Sequence, residues 1–527
     1  MKKKIKPSRL FMLGARSYDG KAVTIKTETS VLGVLKVVLT LFLILCQIAL
    51  IIYLNTSYAF AVSWFMIVCF AISGFTCIHV LSSNKNGLSK AVWIIFLLVC
   101  VTFGYLFYWI SDERILFSGT KKRYRAVYER FNDEQAQKSI ETFSEAVKQN
   151  SEYLYSTGKF KTYAQTDAKY FSSGTLLFDD VIERIKQARK FVFMEFFIIS
   201  DGVLLNRVFD VLKEKVKDGV EVRVIFDDLG SKRTLSTKTK IKLKNAGIKL
   251  KSFNKLIPVF SVALNYRDHR KIIVVDGQTA YTGGSNLADE YINEKRMHGY
   301  WKDTGVRLDG NAVDAFTLMF LRQWEVLTKL REDYSKFLNL YVPTKNKSAF
   351  IPYADGLDYV HPIGRGVYEN MISSANKFLY IMTPYFIVDD GITNLLINKA
   401  LSGVDVRIIL PGIPDKAFVY SVSRSNCEKL MDYGVKIFIM KNAFVHSKLL
   451  LTEDAVAIGS VNMDLRSFYQ QFECSLYTDD TKVMDGVKKD FDNTFKASEQ
   501  ITQKNKWSKN IFYRLFVGAI QVFAPFM

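Results

Sequence analysis

Two short stretches of this chain carry residues able to handle a phosphate ester. Residues 266–286 read YRDHRKIIVVDGQTAYTGGSN, and residues 444–464 read FVHSKLLLTEDAVAIGSVNMD. Each places a His two positions before a Lys: His269 with Lys271, and His446 with Lys448. Residues i and i+2 of a strand project to the same side, so each His travels with its Lys. Each stretch then reaches a glycine turn, Gly283 to Asn286 in one and Gly459 to Asn462 in the other. Such a turn lets the backbone approach a ligand, and the Asn amide donates to an oxyanion. Cations with amide donors, present twice, make a cradle for a phosphodiester, with Ser285 and Ser460 in the same turns. A neutral imidazole attacks phosphorus and a charged one donates a proton, so two His allow one role each. The other histidines, His79, His298 and His361, have no counterpart in a repeat and read as structural.

The elements around these stretches also occur twice. Apolar runs FVFMEFFIISDG (191–202) and FLYIMTPYFIVDDG (378–391) follow helix-like segments. Then come VEVRVIFDDLGS (220–231) and VDVRIILPGIPD (404–415), followed by AGIKLKSF (246–253) and YGVKIFIM (433–440). Val-, Ile- and Phe-rich strands alternating with helices predict α/β lobes with mixed, mostly parallel sheets. A repeat this long predicts a duplicated domain, with lobes at 166–345 and 346–505.

The N-terminal part has a different character. Apolar segments at 31–54, 59–81 and 91–110 are each near or above the ~20 residues that cross a ~30 Å hydrocarbon core. They predict a membrane region at 31–110 with two or three transmembrane helices, after a basic segment at 1–30. Eight Lys and Arg between Lys2 and Lys26 favour a cytoplasmic N-terminus, whereas Lys121, Lys122, Arg123 and Arg125 oppose the outside placement that three crossings would impose. Residues 111–165 read as a polar connector with an amphipathic helix through 134–148. The tail at 506–527 is apolar with Lys509 and Arg514, suited to an interface or to packing on the lobes.

Composition agrees with this layout. Hydrophobic residues are 49% of 527 and charged residues 24%, which excludes disorder for the bulk. Lys plus Arg is 72 against 52 for Asp plus Glu, a net charge of +20 that suits a polyanion, either nucleic acid or an anionic membrane. The six cysteines form no CxxC pair, so neither a zinc site nor a disulfide framework is expected.

The paired motifs resemble the signature H-x-K-x4-D-x6-G-[GS]-x-N of the phospholipase D superfamily. The first copy matches through His269, Lys271, Asp276, Gly283 and Asn286; the second has Glu453 followed by Asp454 at the carboxylate position and one residue fewer before Gly459. Within that superfamily the chain resembles the bacterial cardiolipin synthases over about residues 30–527. Further stretches carry this likeness: GGSNLADEY (283–291), YWKDTGVRLDG (300–310), TPYFIVDDG (383–391), SRSNCEKLMDYGVKIF (423–438) and NMDLRSFYQQFE (462–473).

The resemblance implies a protein of the bacterial cell membrane, multi-pass by the apolar segments at 31–110. It implies a phosphatidyltransferase that moves a phosphatidyl group between two phosphatidylglycerols through a phosphohistidine. It implies His269 as nucleophile and His446 as general acid and base, with the reverse assignment open. Lys271, Lys448, Asn286 and Asn462 would hold phosphate oxygens, while Asp276 and Glu453 or Asp454 would support these groups. No metal, cofactor or nucleic acid is expected. The alternatives are a phospholipid hydrolase of the same type and, less favoured, a nucleic-acid phosphodiesterase.

Overall fold

The fold is described from a computed structural model covering residues 31–57, 59–83, 85, 87–111, 118–130, 143–255, 266–356, 359, 361–503 and 506–524. The first lobe contributes β1 (Thr166–Phe171), β2 (Phe191–Phe196), β3 (Glu221–Asp227), β4 (Lys249–Phe253), β5 (Arg267–Asp268), β6 (Ile272–Val275), β7 (Thr279–Gly283), β8 (Tyr300–Lys302) and β9 (Gly305–Gly310). The second contributes β10 (Phe350–Asp355), β11 (Phe378–Met382), β12 (Phe386–Ile387), β13 (Asp405–Pro411), β14 (Lys436–Met440), β15 (Ala443–Val445), β16 (Leu449–Thr452), β17 (Val456–Gly459), β18 (Met463–Asp464), β19 (Gln471–Thr478) and β20 (Ser498–Gln500).

Among the described residues the main sheets run β1-β9-β7-β6-β2-β3-β4 and β10-β19-β17-β16-β11-β13-β14-β20. Strand for strand these orders coincide, apart from the added β20, so the repeat in the sequence is a repeat in space. Strand β2 is buried throughout, because helices cover both faces of the sheet. Val192, Met194 and Phe196 meet the helices Gly174–Lys186 and Val203–Lys217. On the other face Phe193 stacks on Phe320 of the helix Val313–Thr328, with ring centroids 4.6 Å apart.

The expectation of mostly parallel sheets is corrected. Parallel pairing joins β2 to β3 and β3 to β4, whereas β6, β7, β9 and β1 pair antiparallel. The cause is connection length. Val275 pairs with Thr279, and so short a loop permits only a hairpin, whereas parallel neighbours need a crossover.

The N-terminal region also differs from expectation. Among the described residues one helix, Phe60–Ser82, is long and apolar enough to cross a membrane, with mean hydropathy 2.1. It follows the helix Val31–Ser57, of which Leu41–Leu50 forms a described apolar stretch. The segment read as a crossing at 91–110 is two helices, Gly87–Val99 and Gly104–Ser111. The 13-residue helix reaches about 20 Å, short of the hydrocarbon thickness. Gln47 of the first helix makes the break. Its Nε2 donates to the Val99 carbonyl at 2.9 Å, and its Oε1 accepts from the Thr102 amide at 3.3 Å and hydroxyl at 3.0 Å. A side chain inserted into the helical ladder in this way interrupts it.

The connector is held to both lobes. The helix Ser118–Glu129 bonds the first lobe through Tyr124 Oη to Gln323 Oε1 at 2.8 Å. The helix Glu145–Gly158 meets the second, where Asn370 Nδ2 donates to Asn150 Oδ1 at 3.3 Å. Residues 131–142, most of the expected amphipathic helix, lie outside the described residues. In the tail, the helix Ile511–Gln521 packs on the helix Ala417–Leu430, with Tyr513 Oη donating to the Ser421 carbonyl at 2.9 Å. Its other face leaves Phe512 and Leu515 exposed.

Candidate active site

Two small parallel ladders between the lobes place the reactive groups. β5 of the first lobe pairs with the start of β19 of the second, Arg267 beside Gln471 and Asp268 beside Phe472. The next residues, His269 and Glu473, therefore emerge side by side. β8 of the first lobe pairs with β15 of the second, Tyr300 beside Ala443 and Lys302 beside Val445. Asp303 and His446 follow in the same way. The backbone locks both crossings: the His269 amide donates to the Phe472 carbonyl at 2.8 Å, and the His446 amide to the Lys302 carbonyl at 2.7 Å.

Each imidazole is thus oriented by a carboxylate from the other lobe. His269 Nδ1 lies 2.9 Å from Glu473 Oε1, and His446 Nδ1 lies 2.7 Å from Asp303 Oδ2. An ionised acid accepts, which puts the ring proton on Nδ1 and leaves Nε2 its lone pair for chemistry; Lys448 Nζ also lies 2.8 Å from His446 Nδ1. Both rings are buried, 6% and 8% exposed. Phe197 packs edge-on against His269 at 5.2 Å, and Trp301 and Tyr291 each pack against His446 at 5.4 Å.

The charges around the rings set their protonation. Burial, then Lys271 and Lys448, hold the His269 pKa well below its ordinary value, and His446 adds to the effect. Burial, Lys448 and Lys271 do the same to His446. Both shifts favour the neutral ring, and each ring feels the lysine of the opposite lobe. Burial also brings Lys271 down to about 8 and Lys448 to about 7. It pushes Asp303 up to about 6 and holds Glu473 well above the usual carboxylate range. Lys271 Nζ donates to the His269 carbonyl and Lys448 Nζ to the His446 carbonyl, which fixes both ammonium groups beside the rings.

His269, Lys271, His446 and Lys448 are accordingly brought together. Asn286 and Asn462 are held close by. Asn286 Oδ1 accepts from the Ile198 amide at 3.0 Å and its Nδ2 donates to Tyr291 Oη at 2.6 Å. Asn462 Nδ2 donates to Ser467 Oγ at 3.1 Å. Each amide nitrogen has two hydrogens, so one remains for a substrate oxygen.

The two serines are placed differently. Ser460 Oγ donates to Glu473 Oε2, the carboxylate that orients His269. Ser285 Oγ is buried without a partner and faces Gly174, behind the turn.

The carboxylates of the motif stand outside the reacting group. Asp276 lies at the far end of β6, about 16 Å of strand from Lys271. It accepts from the amides of Arg189 and Lys190 at 2.7 Å and of Phe191 at 2.9 Å. It thereby pins the hairpin to the entry of β2. Glu453 occupies the same place in the second lobe, accepting from the amides of Asn376 at 2.6 Å and Lys377 at 2.9 Å ahead of β11. Glu453 rather than Asp454 therefore takes the second carboxylate position. The shorter spacing has a local cause. Val275 pairs with Thr279 across three residues, whereas Thr452 bonds Ala455 across two.

Asp303 and Glu473 were not singled out from the sequence. A signal existed: each lies at the matching position of the repeat, two residues before the strand partner of Gly283 or Gly459.

Residues 181–298 and 368–495 match the family model described as cardiolipin synthase, PLD-like domain. A cardiolipin synthase of Staphylococcus aureus is 31% identical over 460 residues, covering 84% of this chain and 92% of that protein. An uncharacterised protein of Streptococcus mutans is 35% identical, covering 85% of this chain and 99% of its own length. The crystal structure of phosphatidylserine synthase from Haemophilus influenzae shares the fold, with TM-score 0.53 at 15% identity over 72% of this chain and 98% of that one. With one phospholipase D motif in each lobe and a cardiolipin synthase 31% identical over 84% of this chain, the chain belongs to the cardiolipin synthase family.

Proposed function

We propose that the protein is a cardiolipin synthase of the bacterial cell membrane, which joins two phosphatidylglycerols into cardiolipin and releases glycerol. The observation that carries this reading is the pair of buried imidazoles, each with Nδ1 tied to a carboxylate of the opposite lobe and Nε2 left free. His269 Nε2 attacks the phosphorus of the first lipid, and the bond from phosphorus to the headgroup glycerol oxygen breaks. That oxygen takes a proton from His446 Nε2. A terminal hydroxyl of the second lipid then attacks the phosphorus, the bond to His269 breaks, and the hydroxyl proton passes to His446.

The two rings need different protonation states at the start, although the neutral form is favoured in both. The substrate supplies the difference. A phosphodiester monoanion beside a buried imidazole favours its charged form, so His446 takes up a proton as lipid binds. Lys271, Lys448, Asn286 and Asn462 hold the oxygens on which charge builds. Asp303 and Glu473 stabilise the imidazolium forms and fix the tautomer.

Transfer must outrun hydrolysis, and that requires acceptor lipid at high effective concentration in a dry site. The apolar helix Phe60–Ser82 and the exposed Phe512 and Leu515 support placing the catalytic lobes at a lipid surface. The net charge of +20 favours anionic headgroups. The test is purified full-length protein with labelled phosphatidylglycerol in mixed micelles. Cardiolipin and free glycerol in equal amounts are expected; phosphatidic acid as the sole lipid product would make the protein a hydrolase.

A further inference from the structure

The proposed reaction brings together two lipids, each with a phosphate, yet the cradle described above holds only one of them. Lys271 and Lys448 serve the phosphorus that is attacked. The acceptor brings a second phosphodiester monoanion, separated from the attacking hydroxyl by one glycerol. That charge also enters a buried site and needs a cation.

The two lobes differ at the position that faces this need. Arg466 lies four residues after Asn462, on the short helix Leu465–Gln470. Four residues after Asn286 stands Glu290, in the 3-10 turn Asp289–Ile292. The second lobe therefore carries a cation where the first carries an acid.

Arg466 is also poorly satisfied from within the protein. Its Nε is buried with no hydrogen-bond partner. Arg223, Arg270 and Arg424 by contrast each have a carboxylate, Glu332 at 2.6 Å, Asp268 at 3.1 Å and Glu428 at 2.8 Å. The acids nearest Arg466 are already engaged. Asp464 accepts from the Ser467 amide at 2.7 Å. Asp227 accepts from the amides of Leu229 and Gly230 at 2.9 Å and of Asp268 at 3.1 Å, and faces Arg267 at 3.5 Å.

Arg466 lies close enough to His269 to act on its charge, and Lys416 does the same to His446. Both also act on the charge of Asp464, two residues after Asn462. Lys416 is exposed, with its Nζ 5.2 Å from the centre of the Tyr385 ring.

We propose that Arg466, assisted by Lys416, is an acceptor-phosphate subsite that holds the phosphodiester of the second phosphatidylglycerol while its hydroxyl attacks. This rests on the cardiolipin synthase reading. The guanidinium fork matches two phosphate oxygens, and Lys416 adds a point charge at the mouth. The glycerol leaving group carries no charge, so the acidic Glu290 side of the site is no obstacle to its exit.

The test uses the full-length protein and two acceptors offered to the same labelled phosphatidylglycerol donor. One is phosphatidylglycerol itself, giving cardiolipin. The other is butanol, which has no phosphate and gives phosphatidylbutanol. In Arg466→Gln the cardiolipin rate falls about tenfold or more relative to wild type, while the phosphatidylbutanol rate stays within about threefold. Arg466→Lys recovers part of the loss. Equal losses with both acceptors, or no loss with either, overturn the subsite. Wild-type protein that forms phosphatidylbutanol but no cardiolipin would instead overturn the reaction on which the subsite rests.

Discussion

The two halves of the site are built on one plan and filled differently. In the first lobe Gly284 stands where the second has Ser460. A Cβ at Gly284 would lie 2.1 Å from Asp303 Oδ1, so this glycine makes room for the carboxylate that serves His446. In the second lobe Ser460 donates to Glu473, the longer acid that serves His269. One half therefore uses a short acid and an empty neighbour, the other a long acid and a hydroxyl. The acids themselves differ in ease of ionisation, about 6 for Asp303 and well above the usual range for Glu473. Near-symmetry in position with asymmetry in chemistry is what a reaction needs when one imidazole forms a bond and the other moves a proton.

The largest expected effect comes from removing either ring. His269→Ala and His446→Ala should each lower cardiolipin formation by about 10³-fold or more, read by lipid analysis. A variant with normal output would show that its half is dispensable.

Next come the orienting acids. Asp303→Asn should cost about 10²-fold in kcat, because a neutral amide no longer fixes the tautomer or stabilises the imidazolium, and Glu473→Gln should cost less, since its carboxyl ionises less readily. Gly284→Ala should resemble Asp303→Asn through displacement of the carboxylate; normal kcat for Gly284→Ala would show that the tight fit plays no part.

The pH profile sharpens the comparison further. A lysine with a lowered pKa keeps its charge below that pKa and loses it as pH rises through it. Lys448 at about 7 and Lys271 at about 8 should therefore give kcat/KM an alkaline limb falling between these values. The limb should move in Lys448→Arg, since a guanidinium stays charged. An unchanged limb would assign it to another group.

The smallest effects belong to the carboxylates outside the site. Asp276→Ala should destabilise the fold by about 2 kcal/mol, because it strands the buried Phe191 amide and two half-buried ones at Arg189 and Lys190. Glu453→Ala should cost about 1 kcal/mol, since its amides at Asn376 and Lys377 are exposed and water replaces the acid. Asp454→Ala should stay within about 0.5 kcal/mol. Thermal unfolding separates the three, and a kcat loss as deep as that of the His variants would place Glu453 in the chemistry after all.

What the sequence disclosed follows the range of each interaction. His269 with Lys271, and His446 with Lys448, are local pairs on strand ends, and their repetition made them readable. Asp303 meets His446 across 143 residues of chain and Glu473 meets His269 across 204, so no local spacing marks either pair. The same holds for the interrupted helix near Thr102, since Gln47 comes from another helix. Strand direction is not legible because Val- and Ile-rich runs such as Ile272–Val275 look alike in either orientation. Only the short return at Asp276 and Gly277, both at positive φ, decides it.

The most direct test of the paired-imidazole site uses His446→Ala with a labelled phosphatidyl-p-nitrophenol donor, whose leaving group needs no proton. The account predicts a burst of about one nitrophenol per chain, followed by slow turnover, with the phosphatidyl label mapped to His269 after alkaline quench. Label on any other residue, or no burst from a variant that still makes product, would contradict it.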